Sequence, residues 1–297
     1  MHIPVLLKEA VDGLNIKEGD TIIDGTFGGG GHSEAICGLV GMSGRLIAFD
    51  SDQEATTRFE IKRSQFIGCR SDLITANFRE IDSKLNEFGI SEIDGALFDL
   101  GLSSFQLDES GRGFTFQKNE PLKMTFGQDS LVFGLTAEEI VNGWDENNLA
   151  DIIYGYGGEV YSRRIAKNII EERKIGPIKT TFDLERIIGR SVPDAYKRRK
   201  IHFATKTFQA LRITVNDEIG ALREVLHKTW KILRSSKRLS VISFHEIEDR
   251  VVKNFFKEKK EEGTGVLLTK KPISPGQDEL TRNPRSRSAK LRIIEKI

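Results

Sequence analysis

The stretch "TIIDGTFGGGGHS", residues 21–33, decides the fold. A short apolar run leads into four consecutive glycines, Gly28 to Gly31, with a fifth at Gly25. Glycine loses more backbone freedom on folding than any other residue, so a run of glycines marks a place where something must come close to the main chain. A strand, a glycine-rich turn and a helix together form a site for a nucleotide-like cofactor, with the first helical N–H groups facing the ligand. The same unit predicts an acid about 20 positions further on, at the end of the second strand, to hold ribose hydroxyls. Asp50 meets that condition, closing the apolar run "RLIAFD" (45–50).

The alternation continues outward from there. Runs at 21–24, 45–50, 72–78 and 94–101 read as strands, and the segments between them as helices, the last of these ending at Gly89. Strands separated by helices predict a parallel sheet built from βαβ units. Asp99 follows four mostly apolar residues, which places its carboxylate at the open carboxyl end of that sheet, where ligands bind. The rhythm then breaks. Residues 108–202 offer few strand candidates and several helices, one opened by the capping-box pair Thr136 and Glu139. One helix is predicted from Val215 to Leu233. Strands at 238–245, 265–273 and 288–296 follow, with a helix after the first. The expected architecture is an α/β domain of residues 1–107 and 203–297, interrupted after its fourth strand by a helical, substrate-binding insertion at 108–202.

Composition excludes other classes. No apolar run approaches the ~20 residues needed to span a membrane, and "MHIPVLLKEA" lacks the basic start of a signal peptide. The two cysteines, Cys37 and Cys69, and the histidines form no metal motif, so no metal is expected. A cytoplasmic, reducing setting with both thiols free is the simplest reading. The net charge is +1, yet residues 159–206 hold 13 Lys/Arg against 6 Asp/Glu, and residues 282–292 hold five basic residues and no acid. Such blocks fit either a polyanion-binding surface or solvated helix faces.

Three cofactor classes suit the glycine turn. A P-loop needs Lys and then Ser or Thr after the glycines; His32 stands there instead. The spacing of Gly25, Gly28 and Gly30 does not make the dinucleotide pattern cleanly. S-adenosylmethionine remains, and Asp24, just before the turn, suits its positively charged tail.

The motifs "IDGTFGGGGHS", "DGALFDLGLSSFQLD", "RGFTFQKNEPLKM", "FQALRITVNDE", "VISFHEIEDRVVK" and "NPRSRSAKLR" stand in this order along nearly the whole chain. Together they resemble the bacterial methyltransferases that modify the exocyclic N4 of a cytidine in small-subunit ribosomal RNA. The resemblance implies an S-adenosylmethionine-dependent class I methyltransferase fold, Rossmann-like, with an inserted helical domain. It carries cofactor contacts onto Gly30, Gly31, His32, Asp50, Phe78, Asp99 and Gln106. The chain departs from the family's usual residues at Phe105, Lys123, Gly127 and Phe203.

Methyl transfer to an aromatic amine needs an acceptor for its hydrogens, because the amine lone pair is delocalised into the ring. Asp99 is the candidate, with His245 as a second; the bland alternative for His245 is a backbone-bonded strand-end histidine. Arg163, Arg164, Lys197, Arg198, Arg199 and Lys200 are candidates to hold RNA phosphates. The expected partner is small-subunit ribosomal RNA or the assembled small subunit, with no membrane; self-association as a homodimer stays open. A nicotinamide oxidoreductase and a non-catalytic RNA-binding protein are the competing classes.

Overall fold

The computed structural model of the chain describes residues 3–66, 68–127 and 134–297. The chain divides into two compact units, Met1–Ser103 with Ile219–Ile297, and Ser104–Glu218.

The first unit holds helices α1 (Leu7–Leu14), α2 (Gly31–Val40), α3 (Glu54–Lys62) and α4 (Ile81–Glu87), and strands β1 (Thr21–Asp24), β2 (Arg45–Asp50), β3 (Arg70–Thr75) and β4 (Ile93–Asp99). Among the described residues its sheet has seven strands in the order β3-β2-β1-β4-β5-β7-β6, where β5 is Leu233–Ser243, β6 Gly265–Leu267 and β7 Lys290–Lys296. Strands β1 to β5 pair in parallel, and β7 runs antiparallel to both its neighbours. Successive strand residues face opposite sides, and the core divides accordingly. Ile22, Leu46, Ala48 and Leu97 join one buried cluster with α1, α2 and α3. Ile23, Ile47, Phe49, Ala96 and Phe98 join another, with α4 and the later helices of the unit. Because β1 pairs with β2 on one side and β4 on the other, the strand order reverses between β1 and β4. That reversal opens the crevice in which such sheets take ligands.

The second unit contains α5 (Ser104–Asp108), α6 (Ala137–Gly143), α7 (Glu146–Gly155), α8 (Ser162–Ile175), α9 (Thr181–Ser191), α10 (Asp194–Lys197) and α11 (Thr205–Asn216). The capping box at Thr136 and Glu139 forms as predicted, and Thr180 with Asp183 forms a second. The helical unit runs past the expected end at 202, because α11 packs on α6 and α7. The single helix expected over 215–233 is broken at Asp217, whose φ of 45° lies in the left-handed region. Beyond the break α12 runs from Glu218 to Ile232, and after β5 come α13 (Glu246–Glu261) and α14 (Gln277–Arg282).

The expectation of two free thiols is corrected. Cys37 on α2 and Cys69 just before β3 form a disulfide that closes 32 residues of chain. Spacing alone could not reveal this, since the pairing depends on where the sheet brings β3. In the chain-entropy account such a loop contributes about 3–4 kcal/mol. The Cys37→Ser/Cys69→Ser variant should therefore unfold at lower denaturant than the oxidised wild type. The two should coincide once excess dithiothreitol is present; a gap that persists in reductant would assign the loss to packing instead.

Candidate active site

Strands β1, β2 and β4 each finish on an aspartate, Asp24, Asp50 and Asp99. Burial pushes all three carboxyls up from their ordinary range, Asp50 to about 6 and Asp99 to about 7. Their hydrogen bonds separate their roles.

Asp24 is fully buried. Its Oδ2 accepts from Ser33 Oγ at 2.6 Å and its Oδ1 from the Thr26 N–H at 3.1 Å. Both oxygens thus shape the turn, each with one hydrogen bond. Asp50 ties β2 to the glycine loop: its Oδ2 accepts from the Gly28 N–H at 3.0 Å and its Oδ1 from the Asp52 N–H at 2.9 Å. Arg58, on α3, donates from Nε to the Gly28 carbonyl at 3.2 Å and sets Nη2 3.8 Å from Asp50 Oδ2. Nothing in the motif pointed to Arg58, which stands eight residues past Asp50. Asp99 differs from the other two. Its backbone N–H donates to Thr26 Oγ1 at 2.6 Å, which fixes the strand end, but its buried Oδ1 has no hydrogen-bond partner among the described residues. Its upward shift comes from burial, opposed by the His32 ring and reinforced by Asp24, Glu248 and Glu279.

The glycines serve distinct needs. A Cβ on Gly25 would lie 2.2 Å from the Phe98 ring, so β1 leaves the sheet closely over β4. Gly30, with φ of 77°, is the N-cap of α2 and holds a left-handed conformation open to glycine. Gly31 packs on Pro4. His32 is buried, with Nε2 3.0 Å from the Val5 carbonyl. A carbonyl only accepts, so Nε2 carries the hydrogen and Nδ1 turns to Asp99 Oδ2, 3.7 Å away.

Phe78 is half-buried, edge-on to Phe98 with centroids 5.9 Å apart, beside the end of β3. Gln106 is buried on α5, in the helical unit. His245 stands two residues past β5 as the N-cap of α13; its Nδ1 accepts from the Glu248 N–H at 3.3 Å and its Nε2 lies 3.1 Å from Glu248 Oε1. The cap is reciprocal, since the His245 backbone N–H donates to Glu248 Oε2 at 3.3 Å; among the described residues the buried Nε2 itself makes no hydrogen bond. Arg163 and Arg164 are exposed on α8. Lys197, Arg198, Arg199 and Lys200 are exposed at and after α10, Lys197 paired with Asp194 at 3.0 Å and Arg199 over the Tyr196 ring at 4.7 Å.

These residues fit a nucleoside cofactor. A Cβ placed on Gly28 would touch Ser103 Cβ at 3.8 Å without clashing, but the φ of 51° there is one that favours glycine. Asp50 lies at one side of the loop and the unpartnered Asp99 oxygen at the next strand end.

The sequence matches the MraW methylase family over residues 1–297. The chain belongs to that family. Among MraW relatives, the ribosomal RNA small subunit methyltransferase H of Paenibacillus sp. (strain JDR-2) is 43% identical over 317 residues, which cover 100% of this chain and 99% of the relative. The protein of the same name from Brevibacillus brevis is 41% identical over 311 residues, covering 100% and 98%. That of Acidobacterium capsulatum is 44% identical over 302 residues, covering 99% and 98%. The sheet of this MraW chain is mostly parallel, with β7 antiparallel to both its neighbours. Among the described residues no helix is long and apolar enough to cross a membrane.

Proposed function

We propose that the chain transfers a methyl group from S-adenosylmethionine to the exocyclic N4 of a cytidine in small-subunit ribosomal RNA. The observation that carries this reading is the Asp99 carboxylate at the end of β4, whose Oδ1 is buried and unpartnered among the described residues. Such a group calls for a hydrogen-bond donor, and an amine supplies one. When bound, S-adenosylmethionine supplies a methyl group activated on sulfonium.

The chain's own residues do the rest. Asp50 and the loop from Gly28 to Gly31 hold the nucleoside, with Phe78 beside the base and His32 at the start of α2. Asp99 Oδ1 takes a hydrogen bond from N4 and then its proton. A carboxyl near 7 suits that task at neutral pH, since a base works best with a pKa near the working pH. The His32 Nδ1, its tautomer set by Val5, stands ready beside Oδ2 once Asp99 holds the proton. His245 caps α13 through Nδ1 and serves the reading as the second acceptor, through Nε2. The helical unit is the RNA-binding part, and the setting is the cytoplasm, where ribosomal RNA is made.

Methyl transfer to immature small subunits, followed by mass mapping of the RNA, tests the reading. A product carrying its methyl group anywhere but on a cytidine N4 would overturn it. Neutralising Arg198, Arg199 and Lys200 together should weaken RNA binding and lower its salt slope by about 2, at roughly 0.7 per phosphate contact. Calorimetry should show unchanged S-adenosylmethionine affinity. A wild-type salt slope would make the cluster a solvated face.

A further inference from the structure

The basic stretch at 282–292 plays no part in the site so far, and the structure divides it. Arg292 and Lys290 turn onto Asp249, at 2.7 and 3.5 Å, and tie β7 to α13. Arg282, Arg285 and Arg287 remain exposed, at the end of α14 and along the 3-10 turn Pro284–Ser288. Among the described residues neither Arg282 nor Arg287 has a carboxylate within ion-pair distance.

This turn is anchored next to the catalytic carboxylate. Glu279 Oε1 accepts from the Leu6 N–H at 2.8 Å, and Asn283 Nδ2 donates to the Ile3 carbonyl at 3.2 Å. The same N-terminal segment packs Pro4 on Gly31 and bonds Val5 to His32. Glu279 is itself close enough to Asp99 to help raise its carboxyl. Internally the turn is closed: Ser286 is fully buried, its Oγ donates to the Asn283 carbonyl at 2.8 Å, and the Ala289 N–H donates to the Ser286 carbonyl at 2.8 Å. Three exposed guanidinium groups are thus held on a fixed turn beside the site.

We propose that Arg282, Arg285 and Arg287 form a phosphate-binding surface that grips the RNA backbone next to the target cytidine. The proposal rests on the reading of the chain as an RNA methyltransferase. The site concentrates carboxylates, Asp24, Asp50, Asp99 and Glu279, which repel a polyanion. A base can enter only if cations close by offset that repulsion and hold the strand while the base leaves its stack. Guanidinium groups suit the task because their donor fork matches phosphate oxygens.

The test uses the full chain with R282Q/R285Q/R287Q, substitutions at exposed positions. A labelled single-stranded RNA containing one cytidine is titrated over a series of salt concentrations. The triple variant should lower the salt slope by about 2 and raise KM for immature small subunits about tenfold. S-adenosylmethionine affinity and the unfolding midpoint should match wild type. A wild-type slope and KM in the variant, while wild type binds and methylates RNA, would overturn the surface alone. Loss of cofactor affinity or stability in the variant would overturn it in favour of a structural role for the turn. A wild-type chain that neither binds nor methylates RNA would overturn the activity reading and this surface with it.

Discussion

Asp50→Ala is expected to weaken S-adenosylmethionine binding about ten- to hundredfold, as for a lost hydrogen bond to a charged acceptor worth roughly 1.5–3 kcal/mol. Each Asp50 oxygen already accepts one backbone N–H, from Gly28 and Asp52. In the proposed function the ribose would take the remaining lone pairs, so the substitution would remove a ligand contact and also free the loop. The pH profile follows from burial. The Asp50 carboxyl sits at about 6, so its ionised form is complete above neutrality and is lost as pH falls through 6. Affinity should fall with it, being weaker at pH 5 than at pH 8. Arg58 opposes the burial shift. Arg58→Met should therefore move the midpoint upward and weaken binding already at neutral pH, with recovery in mild alkali. Calorimetric titrations at pH 5, 6 and 8 check all three statements. A folded Asp50→Ala protein with wild-type affinity would remove Asp50 from the site.

How far the sequence reached depended on whether the deciding interaction was local. The runs at 21–24 and 45–50 match β1 and β2 to the residue, since central parallel strands are buried on both faces and read as continuous apolar runs. The capping box at Thr136 was equally legible, being complete within four residues. The break at Asp217 was not. Its neighbour Asn216 donates to the Met124 carbonyl and accepts from the Phe126 N–H, partners 92 and 90 residues away that no local pattern displays. The end of the insertion was missed for the same reason, because α11 is apolar on one side whichever unit it packs on. Within the site, the sequence placed the three strand-end acids and suggested a role for each, but it did not show how far the fold itself occupies their oxygens. Asp24 is satisfied by Ser33 and Thr26, Asp50 is half committed to the loop, and Asp99 has an oxygen left over. Only the three-dimensional arrangement shows which acid is held in reserve.

Asp99→Asn should stabilise the cofactor-free protein while slowing its chemistry, a combination that separates a functional carboxylate from a structural one. Burial raises the Asp99 carboxyl from 3.8 to about 7. The folded state therefore binds this proton more tightly than the unfolded state. The stability that follows is fully present below the unfolded value near 4 and is lost as pH rises through the folded value near 7. At pH 8 the wild type bears the cost of a largely buried charge that His32 offsets only in part, up to about 4 kcal/mol at 1.36 kcal/mol per pH unit. Asparagine does not ionise, so denaturant midpoints should favour the variant at pH 8 and converge with wild type near pH 4. A pH-independent gap would mean that Asp99 is not the buried titrating group. Activity should move the other way. Single-turnover methylation, at saturating cofactor and saturating immature subunits, excludes losses due to binding. Asn keeps an acceptor for the amine but cannot take its proton, and Ala keeps neither. The rate should fall in the order wild type, Asn, Ala, with Ala lower by about 10²–10⁴, the range for a lost positioned base. Misalignment of the attacking nitrogen adds to that loss, because it penalises the transition state more than the bound substrate. Equal rates for all three would confine Asp99 to cofactor binding and turn the search for the amine's acceptor to His245, whose Nε2 makes no hydrogen bond among the described residues, and to main-chain carbonyls of the turn after β4.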